Sequence, residues 1–227
     1  MALILSEVEA RVDAFYDCPV SVVALDPRIP VPELMEGEAA AVADAVESRQ
    51  QEFAVGRAAA RKAMCRLGGE PLPIPSGEDR APIWPDGWRG SIAHTRNICI
   101  AVVTRAPIFL GLDAEKAMGM EEDMIGTVCR EAEIGMVTGR ERRRRATLIF
   151  AAKEALFKAQ FPITGELIGF DHVEIDLPTG GARFKARFRK ETGPYPAGHK
   201  VEGRYQHIGD HVFAGIGLRR EDVPEGE

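Results

Sequence analysis

Ile149-Phe-Ala-Ala-Lys-Glu-Ala-Leu-Phe-Lys-Ala159 places charge in the middle of an apolar run. Leu148, Ile149, Ala152, Ala155, Leu156 and Ala159 recur at helical spacing, which predicts a helix with one face in the core. Lys153, Glu154 and Lys158 interrupt that face. Glu154 and Lys158 are a turn apart on one side, and Lys153 lies about 100° round the helix from Glu154, so the three are expected to line one ledge. A carboxylate between two ammonium groups with little polar cover is a candidate site. The same residues also read as an ordinary helix salt bridge.

Upstream, Ile108-Phe-Leu-Gly-Leu-Asp-Ala-Glu-Lys116 reads as a strand, whose period of two puts Gly111, Asp113 and Glu115 on one face. Two carboxylates on one strand face repel unless a cation lies between them. Oxygen ligands of this kind suit magnesium. Gly111 on the same side is expected to leave room for a bulky ligand. Alone, Asp-x-Glu is a common pattern at solvated strand ends.

Together, Gly111-Leu-Asp-Ala-Glu115 and Phe150-Ala-Ala-Lys-Glu-Ala-Leu-Phe-Lys158 closely resemble the paired signatures of the 4′-phosphopantetheinyl transferases. The likeness is to the compact two-lobed branch that serves siderophore, nonribosomal-peptide and polyketide synthases. Trp84-Pro-Asp-Gly-Trp-Arg-Gly-Ser-Ile-Ala-His94 resembles a third segment of that branch, and order and spacing match from about residue 49 to 170.

The resemblance implies an α+β fold of two similar lobes related by a pseudo-twofold axis, each an antiparallel sheet with a long helix. The split is expected at Arg105 to Pro107, giving lobes 1–106 and 107–227 with the site between them. It also implies transfer of the 4′-phosphopantetheine arm of coenzyme A to a serine of an apo acyl- or peptidyl-carrier protein. Mg²⁺ would be held by Asp113, the Ala114 carbonyl, Glu115 and Glu154. Glu154 would be the general base, and Lys158 with Lys153 would neutralise the pyrophosphate. Arg49, Arg57, Ala93 and His94 fall where the branch grips coenzyme A, and Ile168 falls where it borders the pantetheine arm. The loop Ser76, Gly77, Glu78, Asp79 takes the place of the loop that wraps the nucleotide. Lysine is usual there; here the loop offers acids, with Arg80 its only cation.

Composition sets outer limits. The chain has 227 residues, 45% hydrophobic and 28% charged, enough for one large domain or two small ones. No stretch approaches the ~20 apolar residues of a membrane span, and the first residues lack the features of a signal peptide, so a cytoplasmic protein is expected. A net charge of −6 argues against general nucleic-acid binding. The four cysteines are scattered, without metal-binding spacing.

In chain order, residues 20 to 26 read as a buried strand leading into a Pro-rich turn through Pro32. Residues 33 to 67 are helical and end at Gly68-Gly69, with Arg49, Phe53, Arg57 and Arg61 near one stripe and Arg61 read as structural. Three strands form an antiparallel meander over 90–94, 98–104 and 108–115, with Ser91 expected to support its first turn. Residues 116 to 146 are helical and irregular and end in the basic run Arg142 to Arg145, a candidate dock for an acidic carrier. The charged helix is expected to stop at Phe161-Pro162. Four strands follow, then a charged tail from Arg219. A monomer is expected. A magnesium-dependent phosphohydrolase and a non-catalytic coenzyme A-binding module remain as other readings.

Overall fold

A computed structural model describes residues 3–28, 30, 33–178 and 181–219. The charged tail beyond Arg219 lies outside them, as does Pro32 at the end of the Pro-rich turn. The chain begins with α1 (Leu5–Asp13) and β1 (Ser21–Leu25), followed by a short 3-10 turn at Ala39–Val42 and α2 (Glu47–Arg66). Next come β2 (Arg89–Thr95), β3 (Ile98–Thr104) and β4 (Ile108–Lys116). Two short helices, α3 (Glu122–Val128) and α4 (Glu131–Ile134), precede the long α5 (Gly139–Thr164). The chain closes with β5 (Val173–Asp176), β6 (Arg183–Phe188), β7 (Lys200–Ile208) and β8 (His211–Arg219).

These strands form two antiparallel sheets, ordered β1-β3-β2 and β4-β8-β7-β6-β5. Strand alternation gives each sheet two jobs. In the first, Val23, Ala101 and Val103 pack with Ala59, Ala60 and Ala63 of α2. Their neighbours Val22, Ala24, Ile100 and Val102 face the other way, into a core shared with Leu110, Leu112, Ala114 and Phe213 of the second sheet. That shared core also takes in Val8 and Val12 of α1, an element the sequence pattern did not suggest. The far face of the second sheet buries Ile149, Ala152, Leu156 and Ala159 of α5 against Ile175, Phe184 and Ile216.

The expected three-strand meander is only a hairpin. β3 is buried throughout and already has β1 on one edge and β2 on the other, so no ladder remains for β4. β4 pairs with β8 instead, with Asp113 opposite Ala214. It still crosses beside β2, where Leu112 N–H donates to Ser91 Oγ at 3.0 Å. Ser91 therefore supports this crossing, not the β2–β3 turn.

Two further expectations change. α5 runs through Pro162, because a proline near the end costs one backbone bond and the turn beyond it is held independently. Gly165 caps the end at φ 69°, its N–H donating to Phe161 O at 2.8 Å, and Gln160 Nε2 donates to Glu166 O at 3.0 Å. Gly111 does not leave room for a ligand. A Cβ there would lie 1.8 Å from Ala155 O, so the glycine lets β4 press directly on α5.

Candidate active site

A cleft of about 450 Å³ lies along the seam of α2, β2, β4 and α5. From β4, alternation sends Asp113 and Glu115 into it, and from α5 the helical turn adds Glu154 and Lys158. Lys158 Nζ donates to Asp113 Oδ1 at 2.7 Å and to Leu112 O at 3.1 Å. Asp113 Oδ2 is buried and has no hydrogen-bond partner among the described residues. Lys158 thus pairs across to the strand and not along its own helix to Glu154.

Electrostatically this centre is short of positive charge. Burial raises the Asp113 carboxyl above its usual range, with Lys158 pulling the other way. Glu115 is pushed up to about 7 by burial and then by Asp113. Glu154 is raised by burial and then by Asp113. One ammonium cannot balance three crowded carboxylates, and the unpartnered Asp113 oxygen marks where compensation is missing. Among the described residues no three of His, Cys, Asp and Glu stand close enough, as placed here, to hold a metal ion.

The basic end of the cleft is built on α2 and β2. Arg49 Nη1 donates to His94 Nε2 at 2.5 Å, and His94 Nδ1 lies 3.3 Å from Glu52 Oε2. Arg57 is almost buried and largely committed: Nε donates to Ile74 O at 2.6 Å and Nη2 to Ser76 Oγ at 2.9 Å, with the guanidinium 4.2 Å over the Phe53 ring. Burial lowers its pKa to about 10. It ties the 74–76 loop to α2. Beyond that tie, Asp79 and Arg80 reach the cleft. Ser76, Gly77 and Glu78 do not line it; Gly77 serves the loop itself, since a Cβ there would meet Asp79 Oδ1 at 2.6 Å.

The structure therefore brings Arg49, Arg57, Asp79, Ala93 and His94 together with Asp113, Glu115, Glu154 and Lys158. Lys153 is turned elsewhere. Its side chain is 3% exposed, against 27% for Lys158, and Nζ donates to Glu133 Oε2 (2.9 Å), Val128 O (2.8 Å) and Phe170 O (3.0 Å). The expected ledge of three charges is a ledge of two. Ile168 lines a smaller neighbouring cavity of about 140 Å³ behind Glu154 and Phe157, while its neighbour Leu167 reaches the main cleft. Ala114 points its methyl into the shared core, opposite Asp113 and Glu115.

Other cleft residues were not named as site residues from the sequence, although Trp84 and Phe157 lie within the signature segments quoted above. Glu52 is one, although it stands three residues from Arg49 on the same helix face. Phe157 and Phe161 continue the Glu154–Lys158 side of α5 as an apolar wall. Trp84 completes the opposite rim, made possible by Gly90, where a Cβ would lie 2.6 Å from the indole.

Fold and site define a two-sheet α+β protein whose central cleft joins an acidic centre to an arginine-rich end. Residues 37–104 match the 4′-phosphopantetheinyl transferase N-terminal domain, and residues 109–214 match the 4′-phosphopantetheinyl transferase superfamily. 4′-Phosphopantetheinyl transferase Svp of Streptomyces mobaraensis is 38% identical over 183 residues, 78% of this chain and 74% of that protein. 4′-Phosphopantetheinyl transferase PptT of Mycobacterium tuberculosis is 35% identical over 166 residues, 70% of each chain. Enterobactin synthase component D of Escherichia coli is 36% identical over 121 residues, 49% of this chain and 54% of that protein. The chain belongs to the 4′-phosphopantetheinyl transferase superfamily.

Proposed function

We propose that this chain transfers the 4′-phosphopantetheine arm of coenzyme A to a serine hydroxyl of an apo acyl- or peptidyl-carrier protein, releasing adenosine 3′,5′-bisphosphate. The observation that carries this reading is the acidic centre, where Asp113 Oδ2 is buried with no hydrogen-bond partner among the described residues, beside Glu115 and Glu154. Oxygen donors with excess negative charge fit a hard divalent cation, and Asp113, Glu115 and Glu154 are the residues that would hold Mg²⁺. When bound, the ion supplies positive charge against a pyrophosphate.

The reaction is a phosphoryl transfer, so the protein's main contributions are positioning and charge. Lys158 is held at Asp113 and Leu112 with its ammonium facing the cleft, where it offsets charge building on the leaving bisphosphate. Glu154 has a raised pKa and no hydrogen-bond partner among the described residues, which suits it to take the serine proton directly or through a water. Arg49 supplies cation for the nucleotide phosphates, while Arg57 acts through the loop it ties down. The apolar wall of Phe157, Phe161 and Leu167 suits the uncharged arm.

The carrier is proposed to be a domain of a siderophore, nonribosomal-peptide or polyketide synthase. The basic run Arg142 to Arg145 has less to support a docking role. Arg143 and Arg145 donate to Met120 O (2.8 Å) and Glu133 O (2.7 Å), and Arg142 pairs with Glu122 at 3.2 Å. No helix among the described residues is long and apolar enough to cross a membrane. The proposed form is a cytoplasmic monomer.

The test is intact-mass spectrometry of an apo-peptidyl-carrier domain incubated with the protein, coenzyme A and Mg²⁺, beside a chelated control. A gain of one phosphopantetheine arm that disappears with chelator is the expected result. No gain on peptidyl, polyketide or fatty-acid carriers, with coenzyme A broken down in the same tubes, sinks the transferase reading in favour of a phosphohydrolase.

A further inference from the structure

A carboxylate at the end of a cleft built for a polyanion needs a reason. Glu52 lines the cleft beside Arg49 and His94, where its charge opposes any phosphate. Its geometry supplies the reason. Arginine has no acceptor atom, so in the 2.5 Å contact between Arg49 Nη1 and His94 Nε2 the ring nitrogen must carry the lone pair. A neutral imidazole then bears its proton on Nδ1, the atom facing Glu52 Oε2 at 3.3 Å. Burial and the Arg49 charge hold His94 below its usual pKa, in keeping with a neutral ring.

Resting on the coenzyme A reading above, we propose that Glu52 is a positioning residue: it selects the Nδ1–H tautomer of His94, which in turn fixes Arg49 for the nucleotide phosphates. The order runs from α2 to β2 and back to α2. Glu52 Oε2 stands 3.3 Å from His94 Nδ1 and 3.9 Å from Arg49 Nη1, and His94 Nε2 accepts from Arg49. The side chain of Arg49 is half exposed, and holding one of its amino groups on the ring directs the rest of the fork into the cleft. An arginine already immobilised loses less side-chain entropy when an anion arrives.

The sign of one substitution separates this role from a plain charge in the cleft. If Glu52 only repels the ligand, Glu52→Ala tightens coenzyme A binding. If it positions Arg49 through His94, Glu52→Ala raises both the Kd and the KM for coenzyme A about tenfold with kcat little changed, the size expected for one lost charge-assisted hydrogen bond. Glu52→Gln recovers most of that loss, because its carboxamide oxygen still accepts from Nδ1–H. The tautomer is read separately, by ¹⁵N NMR of the imidazole in the full-length protein. Wild type is expected to show the proton on Nδ1, and Glu52→Ala to move it toward Nε2.

Tighter or unchanged coenzyme A binding in Glu52→Ala overturns the proposal, and so does an Nε2–H tautomer in wild type, which needs no variant to fold. Calorimetric coenzyme A binding and the tautomer need no carrier protein. A protein that transfers nothing but shows both changes refutes the transferase reading and leaves the Glu52 role standing.

Discussion

Each half of the molecule buries one ion pair beneath its long helix, and the two are built alike. In the first half Glu38 accepts from Met35 N at 2.8 Å, from Ile74 N at 2.9 Å and from Arg61 Nη1 at 2.6 and 2.8 Å. In the second, Glu133 accepts from Arg130 N at 2.7 Å, from Ile175 N at 2.7 Å and from Lys153 Nζ at 2.9 Å. Each acid bonds to the backbone three residues before it, to a strand or loop far along the chain, and to a base from α2 or α5. The sequences share no obvious repeat, yet the device recurs. It shows that Lys153 is the counterpart of Arg61, not of Lys158 five residues away. The contrast within α5 is one of saturation. Lys153 has all three of its donors occupied, whereas the pair that Lys158 makes leaves an Asp113 oxygen unpartnered.

The hardest blow to that contrast comes from the open centre. Glu154→Gln and Asp113→Asn are expected to cut transfer about 10³-fold, roughly 4 kcal/mol of barrier. Stability at pH 8 should hold or rise in Glu154→Gln, which removes a carboxylate with no bonded counter-charge, and change little in Asp113→Asn, where relief of crowding offsets the lost Lys158 pair. Rates by mass spectrometry and urea unfolding check both. A stability loss beyond about 1 kcal/mol would mean that this centre is structural too.

The closed pairs should behave oppositely. Lys153→Met and Arg61→Met each leave a buried carboxylate without its counter-charge and should lower unfolding stability by about 3 kcal/mol. Turnover per folded molecule should persist in Lys153→Met. Loss of turnover at unchanged stability would return Lys153 to the reaction.

A smaller effect sharpens the comparison through pH. The Glu115 carboxyl rises from 4.5 to about 7 on folding, chiefly through burial. A raised carboxyl pKa means that the folded state holds its proton more tightly. The stabilisation is complete below pH 4.5 and is lost as pH climbs through about 7. Chelated protein should therefore soften across that window, and Mg²⁺ at pH 8 should raise Tm by about 5 °C, by mass action on the folded state. Glu115→Gln should flatten the pH dependence. An unaltered slope would assign it to other groups.

Much of this was legible in the chain itself. Two periodicities, two for β4 and about 3.6 for α5, put Asp113 with Glu115 on one strand face and Glu154 with Lys158 on one helix face, and the resemblance joined the two into one site. The strands of the second sheet stood out by alternation between Gly and Pro turns. What could not be read locally depended on distant partners. Whether β3 had a free edge was decided by β1, more than seventy residues earlier. Whether Lys153 opened to the cleft was decided by Glu133, in an irregular stretch with no period to follow. Ile168 missed the main cleft by one residue because a loop carries no alternation. The resemblance located Arg49 and His94, but not the acid that holds them.

The contact between Gly111 and Ala155 has a mechanical meaning. A joint whose faces meet with no clearance cannot slide, so β4 and α5 must move as one part. The spacing of the acids on the strand from the acid and base on the helix is then set by backbone against backbone, like a gauge cut into the frame. Tolerance elsewhere in the cleft can be generous. A library that varies Trp84 or Phe161 keeps its reference surface, while any side chain at position 111 pushes the two halves of the acidic centre apart.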